Sequence, residues 1–167
     1  MSRFFSLQLA RLDRIRQSST LLFIGVIGIE SLVFGLLLAQ LIETLFPLNQ
    51  SIPDPGCSLA ASISVAVVIM PIFETFVFQC GSFWFLTRWK LPQWIFWVVM
   101  IVPFAAAHLQ HSSARALGAG VVGGAYLDTC YVLVRQRDSF AKAFCVTAVA
   151  HGLHNLLAII LGELFPG

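Results

Sequence analysis

Apolar residues run along this chain in long, nearly unbroken blocks, and polar residues fall in short clusters between them. Five blocks stand out, at 21–46, 57–86, 91–109, 116–134 and 139–164. Each is near or above the roughly 20 residues that a helix needs to cross the hydrocarbon of a bilayer. The separators read as connections. Residues 47–56 (PLNQSIPDPG) hold three prolines with Asn49 and Asp54, which is loop chemistry. Residues 87–90 and 135–138 are basic turns, and 110–115 is a short polar loop. The pattern predicts an all-α, polytopic transmembrane helical bundle of about five spans, because only helices satisfy their own backbone groups along an apolar stretch in lipid.

Ahead of the first block, residues 1–19 place Arg3, Arg11, Arg14 and Arg16 among Phe4, Phe5, Leu7, Leu9, Leu12 and Ile15. This basic amphipathic segment predicts a short helix lying on the membrane surface, in preference to a disordered tail. Residues 20–167 then form a single transmembrane domain. The first apolar block is too long for a cleavable signal peptide and lacks a small-residue cleavage site. Trp89, Trp94 and Trp97 cluster near the start of the third block, where an interfacial aromatic belt would place them.

Composition agrees. The chain is 58% hydrophobic and 11% charged, against about 25% charged residues in a soluble domain. That balance excludes a water-soluble fold. The net charge of +2 matters less than where the charges fall. In a five-span arrangement Arg3, Arg11, Arg14, Arg16, Arg88, Lys90, Arg135, Arg137 and Lys142 share one side, and Arg115 alone takes the other. The expected orientation puts the N-terminus in the cytoplasm and the C-terminus outside. Since topology explains the basic residues, nothing argues for nucleic acid. Cys57, Cys80, Cys130 and Cys145 have neither a CxxC nor a Cys/His ligand spacing, so they read as small apolar residues rather than disulfides or ligands. Gly120 and Gly124 form a GxxxG, extended by Gly118 and Gly123. Such a strip lets a neighbouring helix approach closely, either within the chain or, in a homo-oligomer, through Gly120 and Gly124 of a second copy.

Ionisable residues inside lipid are costly, by about 2.5–3.5 kcal/mol at a helix centre on insertion scales. The chain carries Glu30, Glu74, His108, Asp128, His151 and His154 within its apolar blocks, with Asn155 as a polar companion. Glu30 and Asp128 read as structural, and His111 as a solvated loop residue. Glu74 is fourteen residues before Arg88, His108 eighteen after Lys90 and His151 fourteen after Arg137. At the rise of a straight helix, these distances from the basic edge are roughly 21, 27 and 21 Å. Three spans thus bring one Glu and two His to similar depth. His151 and Asn155 are four apart and share a helix face, with His154 less well aimed. A carboxylate with one His can hold and deprotonate water, and a second His with an amide can donate to a developing oxyanion. The chemistry permitted is hydrolysis of an amide by activated water.

In order along the chain stand Pro71-Ile-Phe-Glu74-Thr-Phe-Val-Phe-Gln79, then Phe104-Ala-Ala-Ala-His108, then His151-Gly-Leu-His-Asn155. This set resembles the three motifs, EExxxR, FxxxH and HxxxN or HxxxD, of the CPBP family of intramembrane proteases, also called the CAAX protease and bacteriocin-processing (Abi) family. The resemblance covers about residues 60–160. It implies that Glu74 and His108 activate water and that His151 and Asn155 stabilise the oxyanion. Two positions depart from the family pattern: Thr75 stands in place of its second Glu, and Gln79 in place of its Arg. On that resemblance, either an acid–base pair has been exchanged together for neutral groups that still hydrogen-bond, or the chain is a relaxed, inactive relative.

The expected function is therefore an intramembrane endopeptidase acting on a membrane-associated protein or peptide, with no cofactor, in a bacterial inner membrane. Zinc held by Glu74, His108 and His151 is the alternative on ligand count, although the chain has no HExxH. Two other readings use the same residues. One is a non-catalytic CPBP-like protein that binds or stabilises a membrane partner. The other is a small transport or immunity protein in which Glu and His relay protons, although no internal repeat supports a transporter.

Overall fold

The structure, a computed structural model, describes residues 3–45, 63–89, 93–108 and 116–164. The described elements are all helical: α1 Arg3–Ser18, α2 Thr20–Leu45, α3 Val65–Trp89, α4 Gln93–Ala107, α5 over 116–135 and α6 Phe140–Leu164. Three are long and apolar enough to cross a membrane: α2 with 26 residues, α3 with 25, and Phe140–Leu161 of α6 with 22. The described part of α4 has 15 residues. Helix α5 begins with wide turns over Ala116–Gly123 and continues as a regular α-helix over Gly124–Arg135. The 47–56 loop, Cys57, His111 and Arg115 lie outside the described residues.

The outer surface is as apolar as the sequence requires. Phe73, Phe76 and Trp84 on α3 are 59%, 60% and 67% exposed, where a soluble fold would bury them. The chain is a membrane protein by this measure, because lipid is the solvent that accepts such a surface.

Side-chain contacts fix the directions of the helices. Gly28 of α2 meets Leu153 and Ala150 of α6, and Ser31 meets His154, so α2 and α6 run parallel. On α3, Gln79 and Phe83 meet Asp128 and Tyr131 of α5, so these two also run parallel. In contrast, Ala66, Val67 and Glu74 of α3 meet Asn155, Gly152 and His151 of α6 in reverse order. Phe104 and Ala105 of α4 likewise meet Gly124 and Gly120 of α5 in reverse. Helices α2, α4 and α6 therefore point one way, and α3 and α5 the other.

Glycine permits the closest of these approaches. A Cβ at Gly120 would strike the backbone of Ala105, and one at Gly118 the carbonyl of Gly35. Part of the GxxxG strip is thus used within the chain, wedging α5 between α4 and α2.

The N-terminal segment is helical as its pattern predicts, and it is also built into the bundle. Leu12 is 3% exposed and joins a core with Phe23, Ile27, Tyr131 and Val134. At the end of α1, Asp13 pairs with Arg16 (3.1 Å) and Arg137 (2.8 Å), and Asp138 pairs with Arg16 (3.3 Å) and Lys142 (2.8 Å). This network ties the α1–α2 junction to the α5–α6 turn, so two clusters of basic residues share one pole. Glu30 pairs with Arg11 at 2.6 Å and accepts from the Tyr126 hydroxyl at 3.3 Å. A carboxylate on α2 thereby gains both a counter-charge and a donor.

Candidate functional site

The site begins at an irregularity in α3. The Met70 N–H donates to the Val65 carbonyl, five residues back rather than four. Pro71 follows, buried, and has no N–H to continue the ladder. Asn155 of α6 fills the gap, donating from Nδ2 to the Ala66 carbonyl at 2.8 Å. One residue along, Gly152 lies so close to the Val67 carbonyl that a Cβ would not fit. Helix α6 therefore rests directly on the α3 backbone. This contact delivers His151, itself buried, to Glu74, with Nε2 and Oε2 3.4 Å apart.

His108 arrives from the end of α4. Its own N–H closes onto the Ala105 carbonyl at 3.1 Å, which leaves the Phe104 carbonyl open to the imidazole. Nδ1 sits 2.8 Å from that carbonyl. A carbonyl only accepts, so Nδ1 carries the proton in this contact. The Phe104 ring contacts both imidazoles, with centroids 4.7 Å from His108 and 5.7 Å from His151. Phe104 is held edge-on by Phe78, 5.4 Å away, and rests against Gly124. One aromatic wall thus carries two histidines, one of which faces the carboxylate.

Of the residues singled out from sequence, Glu74 and His151 meet directly, and His108 joins them across Phe104. Asn155 is placed differently: one of its amide hydrogens is committed to Ala66. His154 turns away to α2, where Nδ1 lies 2.8 Å from the Ser31 hydroxyl. Because that hydroxyl donates to the Gly28 carbonyl at 3.0 Å, the imidazole is the donor to Ser31. Asp128 is fully buried and accepts from Gln79 Nε2 at 3.1 Å. Thr75, one residue past Glu74, is also fully buried. Compared with known proteins, the chain matches no family model, no curated protein and no solved structure.

Sequence reasoning did not single out Pro71, Gly152 and Ser31 as the residues that set this geometry. Pro71 offered a signal, since a proline inside an apolar helix always leaves a carbonyl to be satisfied. Gly152 and Ser31 offered none, since their roles exist only across helices. Among the described residues no group of three or more His, Cys, Asp or Glu is arranged to hold a metal ion. What stands together is a half-buried carboxylate, an imidazole facing it, and a second imidazole against the same aromatic ring, among apolar helices. Such a set can take a proton from water, hold it and return it.

Proposed function

We propose that this chain is an intramembrane endopeptidase of the glutamate-dependent CPBP type, with five spans, a cytoplasmic N-terminus and an external C-terminus. The observation that carries the reading is the meeting of Glu74 and His151 at 3.4 Å, with His108 and His151 against the same Phe104 ring. Three residues far apart in sequence, each expensive in lipid, converge on one point. The alternating directions of α2 to α6 support five crossings. The shared pole of Arg16, Arg137 and Lys142 supports the orientation.

In the reaction, a water held between Glu74 and His108 gives a proton to the Glu74 carboxylate as its oxygen attacks the scissile carbonyl. His151 Nε2–H and the second amide hydrogen of Asn155 donate to the oxyanion that forms. As the C–N bond breaks, the captured proton passes to the leaving amine, and the carboxyl product departs. The substrate is a membrane-embedded or membrane-adjacent peptide bond, and the bacterial inner membrane is the proposed location. No metal enters this scheme.

The test compares wild type with Glu74→Ala and His108→Ala at matched membrane levels, mapping N- and C-terminal peptides of membrane and secreted proteins. Fragments that vanish in both variants establish the protease and identify its substrate. An unchanged peptide map, with all three proteins folded, overturns it. That outcome favours a partner-binding protein, a reading suited to the neutral, fully buried Thr75 and Gln79.

A further inference from the structure

We infer that Asn155 is a positioning residue, a side-chain replacement for the backbone donor that Pro71 lacks, and that it sets the approach of His151 to Glu74. Around Val65–Ile69 the helix is wide, and Met70 N–H reaches the Val65 carbonyl. In that register the next carbonyl, Ala66, pairs with the N–H of residue 71. Residue 71 is proline, so the carbonyl has no donor from its own ladder. In lipid no water stands ready to replace it, and an orphaned carbonyl there is costly. Asn155 Nδ2 supplies the missing hydrogen bond at 2.8 Å, from a different helix.

The bond also has a lever effect. Asn155 is one turn beyond His151 on α6, and Ala66 is two turns before Glu74 on the antiparallel α3. Gly152, lying on the Val67 carbonyl, lets the two backbones close to contact. Fastening Asn155 to Ala66 therefore fixes how far α6 slides along α3, and with it the gap between His151 and Glu74. Pro71 contributes twice: it opens the carbonyl that Asn155 grips, and it begins the turn that carries Glu74. The consequence for activity rests on the proposed protease reading, while the consequence for stability does not.

The experiment uses the full chain purified in detergent, with Asn155→Ala, Asn155→Leu, Pro71→Ala and the double variant Asn155→Ala/Pro71→Ala. Asn155→Ala is expected to lower the melting temperature by roughly 5 °C. Asn155→Leu keeps the size but has no donor, and is expected to fall as far. Pro71→Ala restores an N–H in reach of Ala66, so the double variant recovers most of the melting temperature, while the turnover number for a substrate found as above stays low because the amide that donates to the oxyanion is still missing. An unchanged melting temperature for Asn155→Ala overturns the inference, as does a double variant no better than Asn155→Ala. Should Pro71→Ala fail to fold alone, the comparison decides: Asn155→Leu as stable as wild type sinks the idea, and an equal fall in both Asn155 variants upholds it. If the wild type cleaves nothing, the protease reading fails while the melting temperatures still judge the clamp.

Discussion

The costliest residues in this chain are polar groups inside apolar helices, and among the described residues Ser31, Gln79, Asp128, His154 and Asn155 each meet a partner on another helix. Asp128 is the clearest case. Its Oδ1 accepts from Gln79, while its Oδ2 and the Gln79 Oε1 have no donor among the described residues. An amide at 128 would keep the first bond and offer hydrogens to Gln79 Oε1. Asp128→Asn is therefore expected to be neutral or stabilising by up to about 1 kcal/mol. Gln79→Leu removes the donor from a buried carboxyl and is expected to cost about 1–3 kcal/mol. Thermal unfolding of the two variants in the same detergent checks the difference in sign. Ser31→Ala similarly strands the His154 Nδ1–H and is expected to cost about 1 kcal/mol. Since neither residue reaches Glu74, the proposed protease reading expects Glu74-dependent cleavage to persist in Ser31→Ala, which peptide mapping of that variant checks.

At the scale of elements, the closest helix approaches in this bundle are made at small residues, beside a core of larger ones. This is expected where the surrounding lipid is as apolar as any side chain, so that close van der Waals contact, not water release, drives packing. Two glycines separate this effect from simple helix propensity. Gly120→Ala forces a methyl into the backbone of Ala105 on α4, and is expected to destabilise by about 1–3 kcal/mol. Gly25→Ala, on α2, meets nothing within 4 Å, and is expected to gain about 0.5–1 kcal/mol from the better helix former. Opposite shifts in melting temperature are the measurement. Equal shifts would mean that α4 and α5 do not rely on that contact.

For the molecule as a whole, α1 decides how rigid the basic pole is. Among the described residues, helix α1 is held by the buried Leu12 with Ile15 beside it, by the Arg11–Glu30 pair and by ion pairs at its end, and the apolar and ionic contacts differ in weight. Leu12→Ala opens a cavity in the core and is expected to cost about 2–5 kcal/mol. Asp13→Asn removes pairs that are part-exposed, and is expected to cost under about 1 kcal/mol, shrinking further in high salt. Unfolding curves at two ionic strengths distinguish them. A Leu12→Ala variant as stable as wild type would return α1 to a helix that merely lies on the membrane. Topology is checked at the same scale, by cysteines introduced at Gln17 and Gln136. The ion pairs between α1 and the α5–α6 turn require both to react with an impermeant thiol reagent from the same face of the membrane.

Much of this was legible along the chain. Long apolar blocks dictate helices, because an unpaired backbone in lipid is too costly for any other choice. The spacing of Glu74, His108 and His151 from the basic turns put them at similar depth, because rise per residue converts directly into distance along a helix axis. Periodicity along one axis carries no information about rotation or slide between two axes, and the rest depended on those. Whether Asn155 faced a substrate or the Ala66 carbonyl, and whether His154 turned to Glu74 or to Ser31, rested on how α6 sits against α2 and α3. That docking is set by Gly152 and Gly28 acting across helices, so tertiary contact alone chose which histidine meets the carboxylate.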